Sequence, residues 1–418
     1  MCLSCATLII SLSFITSIFA NGVLRDCMGP VSSGRGATNI ANTDDGTLIH
    51  DNPAAIARVE GGRIEGALNF LTLPSHYEDR DDSKRGKDTL FLMPTLAYIQ
   101  EIDGYHIGVG VGTYITAGFS VEYRLMDPNR VENKYLSDGS LKKILIGAGW
   151  NVTDRLAVGM GIGPAYSKVQ LELPYTFQTG PLWGTQSLVS MEGDDWSVAW
   201  NIGVQYAVSS RTTVGMAYVN QERFDIQGDM DVMVPSAGSA HYKVRSDFRW
   251  PQTLGAGITH RLKAGHRISL DMLWTDWSSA FNELTFKLSE GTGTIIDSQP
   301  EVSSTQDTFP LHWKDIYAFR LGYEHLLSPR QTLRFGYNYN ENPVRSPTLT
   351  PLIPGIFQHS VSFGYGHTWG QWALNTAYYY SFKSRESVGT SQILGGDFDH
   401  SSVEISGHSF ILGFQYVF

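Results

Sequence analysis

The chain is poor in cysteine, in charge and in long apolar runs. Of its three cysteines, Cys2 and Cys5 fall in the first few residues, so only Cys27 lies beyond the N-terminal stretch. One cysteine forms no intrachain disulfide, and no metal-type Cys cluster exists. Charged residues reach 17%, against the usual quarter, and the formal net charge is −10, which argues against nucleic acid as a partner. The only long apolar run is Leu8–Ala20 (LIISLSFITSIFA). Nothing later approaches the roughly 20 apolar residues that a spanning helix needs. The histidines are scattered without metal spacing, and no Gly-x-Ser-x-Gly elbow occurs. The Gly-x-Gly strings at Gly108–Gly112 and Gly159–Gly163 are followed by no helix pattern, so they fail as dinucleotide loops. No cofactor, metal or enzymatic activity is expected.

The run Leu8–Ala20 has the length and position of a signal-peptide core, with residues 1–20 removed at Ala20–Asn21; the alternative, a transmembrane anchor, would need a longer run. No Lys or Arg precedes it, and Ile18 is larger than the residue usual at that place. Cys27 follows Val23-Leu24-Arg25-Asp26, too charged for a lipoprotein signal, so a free thiol is expected.

What the chain has is glycine (43 residues), aromatics (12%) and period-2 alternation beyond residue 60. From Trp196 to Val208 the even positions are Trp, Val, Trp, Ile, Val, Tyr and Val, while the odd ones are small or polar. Leu333, Phe335, Tyr337 and Tyr339 repeat the pattern, as do Phe410, Leu412, Phe414, Tyr416 and Phe418. A soluble sandwich also alternates, but its strands average five or six residues, and these run to about ten or more. Tight turns near Asp103-Gly104, Asn151–Asp154, Ser209-Ser210, Lys263–Gly265, Leu327–Pro329 and Trp369-Gly370 alternate with long polar connections. The connections fall near 74–90, 119–138, 171–193, 226–240, 288–310, 342–356 and 384–400. Short turns on one side and long loops on the other mark a transmembrane antiparallel β-barrel of about fourteen strands in a bacterial outer membrane. Residues 21–61 do not alternate; they form either a disordered tail or a plug in the lumen. The barrel then occupies 62–418.

Several motifs now carry a resemblance. Asp51-Asn52-Pro53-Ala54-Ala55, Trp150–Glu172, Arg249-Trp250-Pro251 with Trp274–Ser278, Trp313-Lys314-Asp315 with Arg320-Leu321-Gly322, and Gly336-Tyr337 leading to Glu341–Val344 and Ile353-Pro354-Gly355 occur in order. With them the chain resembles the FadL-type long-chain fatty acid transporters, a family that includes aromatic-hydrocarbon uptake channels. The resemblance implies a fourteen-stranded barrel with residues 21–61 as a hatch in the lumen. It also implies a kinked third strand through which ligand leaves sideways. The ligand would be a long-chain fatty acid or another hydrophobic molecule, and the protein a monomer among outer-membrane lipid and lipopolysaccharide.

The third strand is expected at about Tyr105–Phe119, with Gly108, Gly110, Gly112 and Gly118 either marking its kink or filling a small-residue lumen face. Asn52, Pro53 and Ala54 are expected at the hatch turn facing the ligand pocket. Lys168, in Tyr166-Ser167-Lys168, matches the family's lumen base. It shares the register of Val158, Met160 and Ile162, so it faces inward only if the strand changes phase at Gly163-Pro164; otherwise it sits at the extracellular edge. Lys287 lies near the family's second basic position. Arg320 and Arg334 sit opposite apolar faces and should point inward, since a lipid-facing charge costs roughly 2–4 kcal/mol near the midplane. They either bind a carboxylate ligand or pair with carboxylates of the hatch or wall. The acidic loop Glu78–Asp82 either binds a divalent ion or is simply solvated. A general porin, or a surface adhesin on a structural barrel, is the competing function.

Overall fold

The computed structural model describes residues 22–127, 129–235, 237–263, 265–396 and 398–418. The apolar run at 8–20 and the expected cleavage point lie outside these residues. The barrel strands are β1 (Gly62–Thr72), β2 (Leu90–Ile102), β3 (Ile107–Met126), β4 (Glu132–Asn151), β5 (Leu156–Thr176) and β6 (Gln186–Ala207). Next come β7 (Thr212–Val219 and Glu222–Val234), β8 (Gly238–Trp250 and Thr253–Arg261), β9 (His266–Thr275 and Glu283–Thr292) and β10 (Thr305–Pro310 and Ile316–Ser328). The last four are β11 (Gln331–Asn340), β12 (His359–Trp369), β13 (Trp372–Ser387) and β14 (Ser402–Val417). Each pairs antiparallel with the next, and β14 pairs with β1 from His408↔Thr72 to Val417↔Arg63. The fourteen strands therefore close, and closure satisfies the backbone groups that an open edge would leave bare in lipid.

Alternation decides which face each side chain takes. On β4 and β5, Ile144, Ile146, Met160 and Ile162 point outward and are exposed, whereas Leu141, Leu145 and Ala165 are buried. The outer surface carries an apolar band edged by aromatic pairs. Trp372 and Tyr416 lie 4.7 Å apart at the tight-turn end, and Tyr166 and Trp196 lie 5.0 Å apart at the other. Such girdles mark the two membrane interfaces.

The tight turns fall where expected. Three of the expected long connections instead belong mostly to strands: β3 and β4 run to Met126 and from Glu132, β5 and β6 to Thr176 and from Gln186, and β7 and β8 to Val234 and from Gly238. Polar residues there alternate with inward apolar ones such as Phe119, Val169, Leu173 and Met191, so the ladders continue above the membrane band. Charge hides a strand from composition but does not end one.

Residues 22–61 hold two short helices, α1 (Pro30–Gly34) and α2 (Leu48–Asp51), and a 3-10 helix at Pro53–Arg58. Asn52 caps that last helix, its side-chain oxygen accepting from Ala54 N–H at 3.1 Å, and Pro53 occupies the first position. The segment is almost wholly buried. Its partners come from far apart on the wall: Ser362 of β12, Glu324 of β10, Asp271 of β9, Asn201 of β6 and Thr116 of β3.

Candidate functional site: two cavities and a break in the wall

β3 is the irregular strand. Its pairing with β2 ends at Thr113↔Leu96, although β2 itself continues to Leu90 against β1. Its register with β4 shifts between Ile115 and Ala117, and Gly118 adopts φ +153°, a backbone region costly for residues with a Cβ. The chain's own N-terminal tip lies along the resulting gap. Arg25 N–H donates to Thr116 O and Gly118 N–H donates to Val23 O, both at 3.0 Å, while the Arg25 guanidinium donates to Ile115 O at 3.0 Å. Of the four glycines expected at the opening, Gly118 sits at the break. Gly108, Gly110 and Gly112 lie in the paired part, and a Cβ at Gly108 would come within 2.3 Å of the Ile56 carbonyl. There the missing side chain admits the N-terminal segment.

Two cavities flank the level of the break. The outer one, about 840 Å³, is walled by apolar residues of β3 and β5–β10, among them Phe119, Val169, Leu173, Met191, Phe248 and Phe286. Among the described residues, no Lys, Arg or His lines it. Ser246, Thr350 and Asp307 are its polar lining residues besides the Tyr175 hydroxyl, and Asp307 is engaged from the end of β5 and the loop after it: Tyr175 OH, the Gln178 and Thr179 N–H groups and the Thr179 hydroxyl all donate to it. The inner cavity, about 730 Å³, is mixed. Arg25, Asp51, Asp271 and Arg320 line it, together with the fully buried ion pair Lys143–Glu222 at 2.6 Å. Burial pulls the Arg25 guanidinium down to about 10, and its Nη2 has no hydrogen-bond partner among the described residues. Between the cavities, Phe119, Trp250, Phe281, Trp277 and Trp313 form one layer of rings, each at most 2% exposed.

Beneath lies a buried charge cluster. Arg35 of the N-terminal segment reaches Asp44 at 2.9 Å and Glu324 of β10 at 3.0 Å. Arg267 of β9 pairs with the same two carboxylates, and Arg334 of β11 stands 3.5 Å from Glu324.

The expected site residues separate into three groups. Arg320 and Arg334 point inward. Arg320 donates to Asp26 at 3.2 Å and to Ala37 O, while Arg334 pairs with Glu324 and Asn375, so both are held by hatch or wall partners. Asn52, Pro53 and Ala54 line neither cavity. Asn52 donates to Ile40 O and Val204 O, and Pro53 packs against Gly159, so the trio anchors the segment to β5 and β6. Lys168 and Lys287 are outside. Lys168 Nζ meets Glu192 on the exposed face, and the registers of β5 with β4 and β6 pass Gly163-Pro164 without a bulge. The strand keeps its phase, and the expectation of a lumen lysine is corrected. Lys287 is exposed beside Arg245 and Gln306, its partners in the ladder. In the acidic loop, Glu78 pairs with Arg385 and Asp81 with Arg130, while Asp79 accepts from the Asp81 and Asp82 N–H groups, so protein donors engage these carboxylates. The Arg25 guanidinium and the ring layer were not singled out by sequence reasoning. The repeated Trp before or within strand interruptions, at Trp250-Pro251, Trp277 and Trp313, was the available signal.

A closed fourteen-stranded barrel with an apolar outer cavity, an interior crossed by its own N-terminal segment and a broken third strand defines an outer-membrane channel for hydrophobic compounds. The sequence matches the family described as outer membrane protein transport protein (OMPP1/FadL/TodX) over residues 19–418, and the chain belongs to that family. Among curated relatives, a long-chain fatty acid transport protein of Escherichia coli O6:H1 is 21% identical, with 78% of each chain covered. A putative outer membrane protein of Neisseria meningitidis serogroup B is also 21% identical, over 90% of each. In fold, the chain is similar to the toluene transporter TodX of P. putida (TM-score 0.77, 16% identity, covering 94% of this chain and 99% of that one). It is likewise similar to a FadL homologue of Pseudomonas aeruginosa (TM-score 0.75, 16% identity, covering 97% and 99%).

Proposed function

We propose that the chain passively takes up long-chain fatty acids or closely related hydrophobic molecules, with residues 21–61 acting as a plug. Ligand enters the outer cavity from the loops, passes inward, and leaves sideways at the β2–β3 gap once the tip Val23–Arg25 withdraws. The outer cavity carries this reading. Its lining, almost entirely apolar and without a cation among the described residues, suits an alkyl chain. Each methylene buried there contributes roughly 0.8 kcal/mol. No energy source is needed, because the ligand only moves down its gradient. Cations meet the lumen at the inner cavity, where Arg25, Lys143 and Arg320 stand.

A second reading, uptake of neutral aromatic hydrocarbons, draws on the lack of any cation in the outer cavity. Uptake of labelled oleate and of naphthalene, measured in bacterial cells lacking their own such transporter, tests both. Faster oleate entry on expression supports the first reading, and naphthalene entry alone supports the second. A large steady conductance through the intact protein in planar bilayers, with neither probe taken up, would return the general porin.

A further inference from the structure

We propose that the aromatic layer between the cavities is the internal gate of the barrel, with Trp250 as the ring that must swing for ligand to pass. The proposal rests on the transport reading above and adds the step inside the protein that selects what goes through.

The layer separates the cavities on several strands at once. On β8, Phe248 lines the outer cavity and Pro251 the inner one, and Trp250 lies between them. On β3, Phe119 faces the outer cavity and Thr116 the inner. On β7, Ile226 and Glu222 divide in the same way, and Glu222 is the ladder partner of Trp250. The Trp250 ring contacts Phe119, Phe248 and Phe281 at centroid distances of 6.4, 5.3 and 6.0 Å. Trp277, Phe281 and Trp313 close the remainder with mutual distances of 4.8–4.9 Å. These rings stand between the two linings on β3, β7 and β8.

The wall is interrupted at this same level. The ladder skips residues 220–221 in β7 and 251–252 in β8. In β9, α3 (Trp277–Ala280) stands between Thr275 and Glu283, and in β10 residues 311–315 leave the sheet. Trp277, Phe281 and Trp313 sit within these interruptions, and Trp250 sits at the edge of one, its backbone still paired with Glu222 in the ladder. Pro251, which has no N–H to give, makes the break after Trp250 permanent. Beyond its ring contacts, Trp250 is held by one side-chain hydrogen bond, Nε1 to Ser167 Oγ at 3.0 Å. The N-terminal tip touches the layer as well: a Cβ at Gly22 would lie 2.7 Å from the Trp277 ring. Withdrawal of the tip from the β3 gap therefore also unloads the gate.

The test uses the full chain and two probes, oleate and naphthalene. Initial uptake rate is measured in expressing cells, and equilibrium affinity for oleate is measured on purified protein. Trp250→Ala is expected to raise the oleate rate three- to tenfold and the naphthalene rate less, while oleate affinity stays within twofold because the outer cavity keeps its lining. Trp250→Phe keeps a ring in the layer but loses the Nε1–Ser167 bond, so its oleate rate should rise only about twofold, with oleate affinity within twofold of the unmodified chain. A residue that merely fills the core would lower rate and affinity together. An unchanged or reduced oleate rate in Trp250→Ala, with the barrel intact by its heat-dependent gel mobility, overturns the gate. If that variant loses the intact barrel, Ser167→Ala decides instead: freeing Nε1 should raise the rate about twofold, and an unchanged rate overturns the gate. Absence of uptake of both probes by the unmodified chain would sink the transport reading, and the gate with it.

Discussion

Replacing Glu324 by Gln should loosen the N-terminal segment far more than removing Arg35, although Arg35 belongs to the segment itself. Three guanidiniums, Arg35, Arg267 and Arg334, face two carboxylates, Asp44 and Glu324, in a buried cluster. Glu324→Gln leaves three cations around one anion, whereas Arg35→Met leaves two against two. An uncompensated buried charge costs roughly 3–5 kcal/mol, so about 3 kcal/mol is expected for Glu324→Gln and about 1 kcal/mol for Arg35→Met. Since the segment can open without the barrel unfolding, the cost appears as local release, about a hundredfold for the first and under tenfold for the second. Cys27 reports it. The side chain is half-buried, and desolvation pushes its thiol up to about 12, so little of it is thiolate at pH 8. Released into water, about a quarter would be. Maleimide labelling of Cys27 at pH 8 should therefore run about a hundredfold faster in Glu324→Gln. Labelling accelerated less than threefold, or accelerated more by Arg35→Met, would refute the charge count.

The other expectations are simpler. Lys168→Ala should leave oleate affinity within twofold, because Nζ sits on the outer face against Glu192; a tenfold loss by equilibrium binding would contradict that placement. Asn52→Ala removes a helix cap and two further hydrogen bonds, and should cost the segment about 2 kcal/mol, read as faster amide exchange over residues 48–58. Gly159→Val would drive a side chain into Pro53, whose carbonyl carbon lies 2.3 Å from an added Cβ, and protease should then nick the segment in otherwise intact barrels. In a series of saturated fatty acids, affinity should tighten about fourfold per added methylene until the outer cavity is full, following roughly 0.8 kcal/mol each. A flat series would argue against tail burial there.

The strands were readable because their signal is local. A period-2 run such as Trp196–Val208 declares its two faces from a dozen residues, and Asp103-Gly104 or Trp369-Gly370 declares a turn from two. The extracellular halves were harder, since Glu172, Lys134 and Asp229 read as loop residues although they face water from continuing strands. Family likeness misled at Lys168. The parity of Met160 and Ile162 already placed it outside, and β5 keeps the same register with β4 and β6 before and after Gly163-Pro164. At Arg320 and Arg334 the alternation was sufficient for direction but not for partner, because Asp26 and Glu324 are brought to them by the fold.

By itself, then, the sequence determined the barrel, its strand order, its turn side and the inward face of each regular strand, all of which follow from the two-residue period of an extended chain and the need to satisfy every backbone group in lipid. Only the tertiary structure decided where the cavities lie, which rings divide them, and that Val23–Arg25 closes the gap beside β3. Those features join residues such as Phe119, Trp250 and Trp313, or Arg25 and Thr116, that lie far apart along the chain. No local pattern encodes such meetings; ring closure and register create them.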